Sequence, residues 1–177
     1  MLRSFLIALQ FLTSIPINLT SLPKDQEFGN SILFYPLVGL IIGLSLILVS
    51  TLSILTNELI TAALILTCWV IITGALHLDG VSDSADAWFG GMGSRERTLE
   101  IMKDPHAGPM GIISIVIILL VKFSAITTLL INQHTYFLLI APIIARTFAI
   151  ILMLITPYVR KGGIGENMLR HTPIKKA

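Results

Sequence analysis

Four apolar runs, residues 32–55, 59–78, 109–131 and 136–156, constrain this chain more than any other feature. The hydrocarbon core of a bilayer is about 30 Å thick, and about 20 helical residues cross it. In lipid the backbone must satisfy its own polar groups, so runs of this length fold as helices. Only 12% of the residues are charged and 54% are hydrophobic, whereas a soluble domain carries about 25% charged residues. The sequence therefore predicts an all-α, polytopic membrane helical bundle of about four spans, built as one domain over residues 1–177. The single cysteine, Cys68, excludes an internal disulfide and a cysteine-based metal centre.

Residues 2–17 are apolar, broken by Arg3 and Gln10 and closed by Pro16. They are short for a span and lack a small-residue cleavage site. We expect an uncleaved interfacial or re-entrant helix there. Pro36 should kink the first span near its start. Gly39 and Gly43 form a G-x-x-x-G pair, which lets another helix approach closely and allows, without requiring, a homo-oligomer.

Charge sets the topology. Four spans put the amino-terminal stretch, the 79–108 connection and the tail on one side. That side carries Arg3, Lys24, Arg95, Arg97, Lys103, Arg160, Lys161, Arg170, Lys175 and Lys176, and the opposite turns carry no Lys or Arg. By the positive-inside rule this side faces the cytoplasm, so the chain is expected in a cytoplasmic (inner) membrane.

Six of the ten carboxylates fall within one connection: Asp79, Asp83, Asp86, Glu96, Glu100 and Asp104. An acidic island inside an apolar protein is costly unless it is solvated or binds a cation. Asp79, Asp83 and Asp86 follow i, i+4, i+7 spacing, so on a helix they share one face. Hard oxygen donors select Mg²⁺, Mn²⁺ or Ca²⁺ over Zn²⁺. We expect Asp79, Asp83 and Asp86 to hold Mg²⁺ that handles a diphosphate, with Gly80 leaving room for backbone or ligand. Gly90, Gly91 and Gly93 make a turn, and Ser94 is a candidate N-cap for a second short helix. There Arg97, Glu100 and Asp104 share a face, and Pro105 ends the helix. The two helices would form an acidic hairpin that brings Asp104 toward the triplet. Trp88 and Phe89 are placed to anchor that hairpin at headgroup level.

Lys122 and Arg146 sit near the middle of the third and fourth spans, too far from either end to snorkel easily. Their partners should be the hairpin carboxylates or an anion in a cavity, and we favour phosphate. Arg146 suits bidentate contact and Lys122 a point charge. His77, at a span end, has three readings: general base, metal ligand, or hydrogen-bonding neighbour of Asp79. Trp69 reads as packing.

Together these residues resemble a known family. His77-Leu78-Asp79-Gly80 with Asp83 and Asp86, then Leu99 to Asp104, then Gly108 and Gly111, are similar to adenosylcobinamide-GDP ribazoletransferases, also called cobalamin synthases. So are Gln10-Phe11-Leu12-Thr13 with Pro16, Pro36-Leu37-Val38-Gly39 with Gly43, and the intramembrane Lys122 and Arg146. The resemblance implies a Mg²⁺-dependent inner-membrane transferase in the last stage of vitamin B12 assembly. Such an enzyme joins adenosylcobinamide-GDP to α-ribazole, or its 5′-phosphate, and releases GMP. On that reading Asp79, Asp83 and Asp86 hold metal. Asp104 is a further ligand or, with His77, a catalytic base. Arg97, Lys103, Lys122 and Arg146 hold phosphate, with Gly80 and Glu100 beside them. Family members continue past Gly165 with further apolar helices, so the resemblance also implies that carboxy-terminal helices are missing here.

The partners implied are then the two substrates, the bilayer and a second copy of the chain or other B12-assembly enzymes, and no nucleic acid. Three rivals remain open. A CDP-alcohol phosphotransferase also clusters aspartates around Asp-Gly, but Ala-Arg should follow soon after, and here no arginine follows until Arg95. A divalent-cation transporter subunit would line a path across the bilayer with acids. A non-catalytic membrane scaffold is the third.

Overall fold

The fold was obtained as a computed structural model, which describes residues 1–19, 21–158 and 163–173. Of the cations used above to set topology, Arg160, Lys161, Lys175 and Lys176 lie outside the described residues. The secondary structure of the described residues is all helical, with no strand. The helices are α1 (Leu2–Leu12), α2 (Asp25–Ser31), α3 (Tyr35–Ser50), α4 (Glu58–Ile72), α5 (Leu76–Gly91), α6 (Arg95–Ile101), α7 (Pro109–Ile131), α8 (Phe137–Ile155) and α9 (Ile164–Arg170).

Among the described residues three helical units are long and apolar enough to cross a membrane: Asp25–Ile54, Pro109–Ile131 and Phe137–Ile155. A fourth follows if α4 and α5 count as one broken span, for they are bent by 84°. The first unit begins earlier than the apolar run does. The Glu27 carboxylate accepts the Lys24 backbone N–H at 2.9 Å at the start of α2, and a 3₁₀ turn over Ile32–Phe34 joins α2 to α3. Pro36 sits in the first turn of α3, where its missing N–H breaks no helical bond.

The core is the α3–α8 crossing. Tyr35, Val38, Gly39, Ile42, Gly43, Leu46 and Ser50 form the buried stripe of α3, and Leu138, Pro142 and Arg146 that of α8. Gly39 and Gly43 explain the closeness. A methyl group on Gly39 would lie 2.7 Å from the Pro142 carbonyl oxygen, and one on Gly43 would lie 2.8 Å from Leu139 Cα. The G-x-x-x-G pair thus has its partner inside the chain. The outer face of α7, with Ile113, Val116, Ile117, Leu120 and Val121, is left exposed as a lipid-facing surface would be.

The run expected to continue to residue 78 breaks at 73–75. Gly74 and Ala75 both adopt left-handed backbone, with φ of 58° and 56°, and two such residues in succession turn the helix. The exposed carbonyls at the end of α4 are met from the amino terminus. Ser14 donates its N–H to the Ile72 carbonyl at 2.8 Å and its hydroxyl to the Ile71 carbonyl at 2.6 Å. The amino-terminal helix therefore packs within the chain and fixes the bend that aims α5. At the same end α1 and α9 both pack on α2, with Arg3 paired to Glu27 at 3.3 Å and Asn167 donating to Asp25 at 2.8 Å.

Candidate active site

α5 is helical from end to end, so Asp79, Asp83 and Asp86 do share one face. They do not share one task. Asp86 turns toward the amino terminus of α7. Its carboxylate accepts the Gly108 N–H at 2.7 Å and the Gly111 N–H at 2.9 Å. Those amides belong to the first turn of α7, where N–H groups lack helical partners and the dipole favours a negative charge. Asp86 caps from another helix. Methyl groups on Gly108 or Gly111 would run into its carboxylate, and one on Gly111 into the Ser82 hydroxyl as well. Ser82 is buried, and its hydroxyl has no hydrogen-bond partner among the described residues.

Asp79 is exposed and Asp83 half-buried, and neither carboxylate has a hydrogen bond or ion pair among the described residues. No set of three His, Cys, Asp or Glu side chains converges as a metal cage among those residues. Of the three aspartates, Asp79 and Asp83 thus stand without hydrogen-bond partners among the described residues, and Asp86 is engaged with α7. Open space surrounds Gly80, with nothing within 4 Å of where a methyl group would stand, so no backbone approaches it.

The hairpin forms through the small residues at its tip. Ser94 caps α6, accepting the Arg97 N–H at 3.3 Å, and Gly91 is pressed against Thr98. Arg97 pairs with Glu100 at 2.8 Å on the exposed surface. Asp104 does not reach the triplet with its hydrogen bonds. Its Oδ1 accepts the backbone N–H of His106 at 3.0 Å and the ring Nδ1–H at 2.7 Å. These bonds, the backbone one first, hold the Asp104 carboxyl below the ordinary carboxylate range. Lys103 and Asp104 line a shallow open groove with Glu96, Leu99, Glu100 and Pro105. Trp88 and Phe89 stand exposed on α5.

The intramembrane cations meet elsewhere. A cavity of about 240 Å³ lies among α4, α5, α7 and α8, and it is lined by His77, Lys122 and Arg146 together with Trp69, Thr73, Val81, Ile118 and Pro142, among others. Arg146 is only 5% exposed. Its Nη1 donates to the His77 ring, meeting Nε2 and lying 3.2 Å from Nδ1, while its Nε has no partner among the described residues. Lys122 places its ammonium 4.1 Å from the centre of the Trp69 ring, a cation–π contact. Among the described residues no carboxylate lies within ion-pair distance of either cation. The hairpin acids are thus not their partners, and His77 neighbours Arg146 through its hydrogen bond instead of Asp79. Of the four expected phosphate ligands, Lys122 and Arg146 come together, whereas Arg97 and Lys103 belong to the hairpin.

Two roles were not read from the sequence. Trp69 holds Lys122; the available signal was a mid-span lysine that needed a partner, with an aromatic residue in the preceding span. Asp86 as a cap was hidden because it acts across 22 residues on Gly108.

The architecture can be set beside known proteins. The family model for cobalamin-5-phosphate synthase matches residues 4–177. An adenosylcobinamide-GDP ribazoletransferase of Pseudomonas putida strain GB-1 is 53% identical over 173 residues, covering 98% of this chain and 72% of that protein. The proteins of the same name from Pseudomonas fluorescens Pf-5 and Pseudomonas aeruginosa UCBPP-PA14 are 50% and 48% identical, covering 96% and 98% of this chain and 70% and 71% of their own lengths. No solved structure matches the chain. With a family model that spans almost all of it and relatives at about half identity over most of their length, the chain belongs to the cobalamin-5-phosphate synthase family.

Proposed function

We propose that this chain joins adenosylcobinamide-GDP to α-ribazole, or to its 5′-phosphate, with release of GMP, in a Mg²⁺-dependent reaction at the cytoplasmic face of an inner membrane. The observation that carries this reading is the cavity lined by buried Arg146 and half-buried Lys122, neither of which has a carboxylate within ion-pair distance among the described residues. Desolvated charges that lack an internal counter-charge are stabilised by an incoming anion. A substrate phosphate is such an anion.

Asp79 and Asp83 fit a hard cation, because both are free oxygen donors one helical turn apart. Mg²⁺ is commonly held by one or two carboxylates, with waters and substrate phosphates completing its shell, so this pair suffices without Asp86. When bound, the ion would neutralise charge on the diphosphate. Asp86 keeps α5 docked on α7 through the Gly108 and Gly111 amides.

The chemistry is displacement at phosphorus. The ribazole 3′-hydroxyl oxygen bonds to the phosphorus nearest the corrinoid side chain. The bond from that phosphorus to the bridging oxygen breaks, and its electron pair leaves with GMP. Arg146 and Lys122 hold phosphate oxygens of the substrate that enters the cavity. The hydroxyl proton goes to His77, which lines the cavity and touches Arg146. When Arg146 turns to the phosphate, the imidazole nitrogen it occupied becomes free to accept. Asp104 is the weaker candidate for this base, since its carboxylate is tied to His106 and lies outside the cavity lining. Arg97 and Lys103, near the open groove, steer the nucleotide.

The cytoplasmic placement rests on charge. Arg3, Lys24, Arg95, Arg97, Lys103 and Arg170 cluster at the end shared by α1, α2, α9 and the hairpin, while the turns at 55–57 and 132–136 hold no Lys or Arg. Asp83→Asn tests the metal pair. It should abolish GMP release while membrane insertion and amount of protein stay at parent levels. Near-parent turnover in that variant would overturn the assignment.

A further inference from the structure

We infer that the cavity between α4 and α7 is the subsite for a phosphorylated nucleoside with a flat, apolar aromatic base, and that Trp69 is the wall on which that base stacks. This rests on the reaction proposed above and says which of its two substrates the cavity takes.

The cavity has a mixed lining. His77, Lys122 and Arg146 supply charge and hydrogen bonds, and Val70, Leu78, Val81, Ile118, Leu119, Pro142 and Ala145 supply an apolar surface. Pockets that enclose a whole drug-sized ligand run to about 300–1,000 Å³. At about 240 Å³ this one takes a ring system and the group next to it, not a corrinoid. Guanine brings a polar edge whose donors and acceptors need partners once buried. Apart from the three charged or ionisable residues and the Trp69 indole, the only polar side chain in the lining is Thr73, whose hydroxyl already donates to the Trp69 carbonyl at 2.8 Å. The benzimidazole-type base of ribazole makes no such demand, and its phosphate suits the cationic residues.

Trp69 has its ring face at this cavity, and the atom on that face is the Lys122 ammonium. A cation–π contact is worth about 0.5–2 kcal/mol, less than a charge-assisted bond to phosphate in a desolvated site. An arriving phosphate therefore draws Lys122 off the ring and opens the indole face. Anion binding and base stacking become one event. The free 5′-hydroxyl form would displace Lys122 less readily than the 5′-phosphate.

The test uses the full chain in lipid nanodiscs. In a Trp88→Phe background Trp69 is the single indole, since the chain has two tryptophans. Titration with α-ribazole 5′-phosphate should change Trp69 emission saturably, and inorganic phosphate alone should not reproduce the base-dependent quenching. In steady-state assays Trp69→Leu should raise KM for the ribazole substrate about ten- to a hundredfold, the size of a lost base–aromatic stack. KM for adenosylcobinamide-GDP should not move, which shows that the variant is folded. Trp69→Phe should restore most of the loss, and Lys122→Met should remove the preference for the phosphorylated form. A KM increase on adenosylcobinamide-GDP instead, or on neither substrate, would overturn the subsite while leaving the proposed reaction intact. Absence of turnover in the parent would count against the reaction. The emission titration would then decide the subsite by itself, saturable quenching supporting it and an unchanged spectrum overturning it.

Discussion

Replacing Asp86 separates a cap from a metal ligand. Its two oxygens take the Gly108 and Gly111 amides at 2.7 and 2.9 Å, in a half-buried junction. Asp86→Ala leaves both amides without that partner. An unsatisfied buried donor costs about 1–3 kcal/mol, but water reaches part of this site, so we take the lower end for each, about 2–3 kcal/mol in all. Asp86→Asn keeps one acceptor oxygen and loses the charge at the helix amino terminus, a cost of about 1–2 kcal/mol. Thermal unfolding of the detergent-solubilised protein should therefore rank parent, Asn, then Ala. The Mg²⁺ concentration for half-maximal turnover should stay at the parent value in whatever active fraction remains. Asp79→Asn and Asp83→Asn should do the reverse, with parent stability and lost or metal-shifted turnover. If Asp86→Asn is as stable as the parent and shifts the metal requirement, Asp86 is a ligand and the cap argument is wrong.

Other consequences follow from the same geometry. Gly39→Ala and Gly43→Ala each press a methyl group into α8 backbone, and each should destabilise the detergent-solubilised protein by about 1–3 kcal/mol, seen as earlier thermal aggregation. Arg146→Gln removes a charge-assisted phosphate contact worth about 1.5–3 kcal/mol; kcat/KM should fall about ten- to a hundredfold, and Arg146→Lys should recover only part, since the planar fork is lost. Asp104 has a depressed carboxyl value in the folded chain. Its contribution is therefore complete above the unfolded value of about 3.9 and is lost as pH falls through the folded one. His106→Ala should return the Asp104 titration, followed by carboxyl-carbon NMR, toward that ordinary value.

The fold class was legible because the apolar runs are long and their physics leaves only helices. The hairpin was legible too, through Gly90–Gly93 and the Ser94 cap, but α6 ends at Ile101, so Asp104 and Pro105 fall beyond it. What stayed hidden depends on contacts distant in sequence. The break at Gly74 and Ala75 falls inside an apolar run, where hydropathy gives no sign of left-handed backbone. The three aspartates look equivalent on a helical wheel, and only the arrival of α7 at Asp86 separates that residue from the other two. Lys122 and Arg146 stood out as mid-span cations that need partners. The sequence did not reveal that Trp69 and His77 would serve, because a span order and rotation are needed to bring α4, α5, α7 and α8 around one cavity. The α1 segment likewise reads as a free interfacial helix until Ser14 is seen on the carbonyls of α4.

The central claim is that this chain carries the transfer chemistry at a cation-lined cavity beside an acidic helix. The most direct measurement is GMP release by the chain in nanodiscs, supplied with adenosylcobinamide-GDP and α-ribazole, with Mg²⁺ and with chelator. The account predicts GMP and a corrinoid product in equal amounts with Mg²⁺, and neither once the ion is removed. GMP formation that is indifferent to chelator would contradict the metal pair. No product from correctly inserted chain under either condition would contradict the assignment of the reaction to these residues.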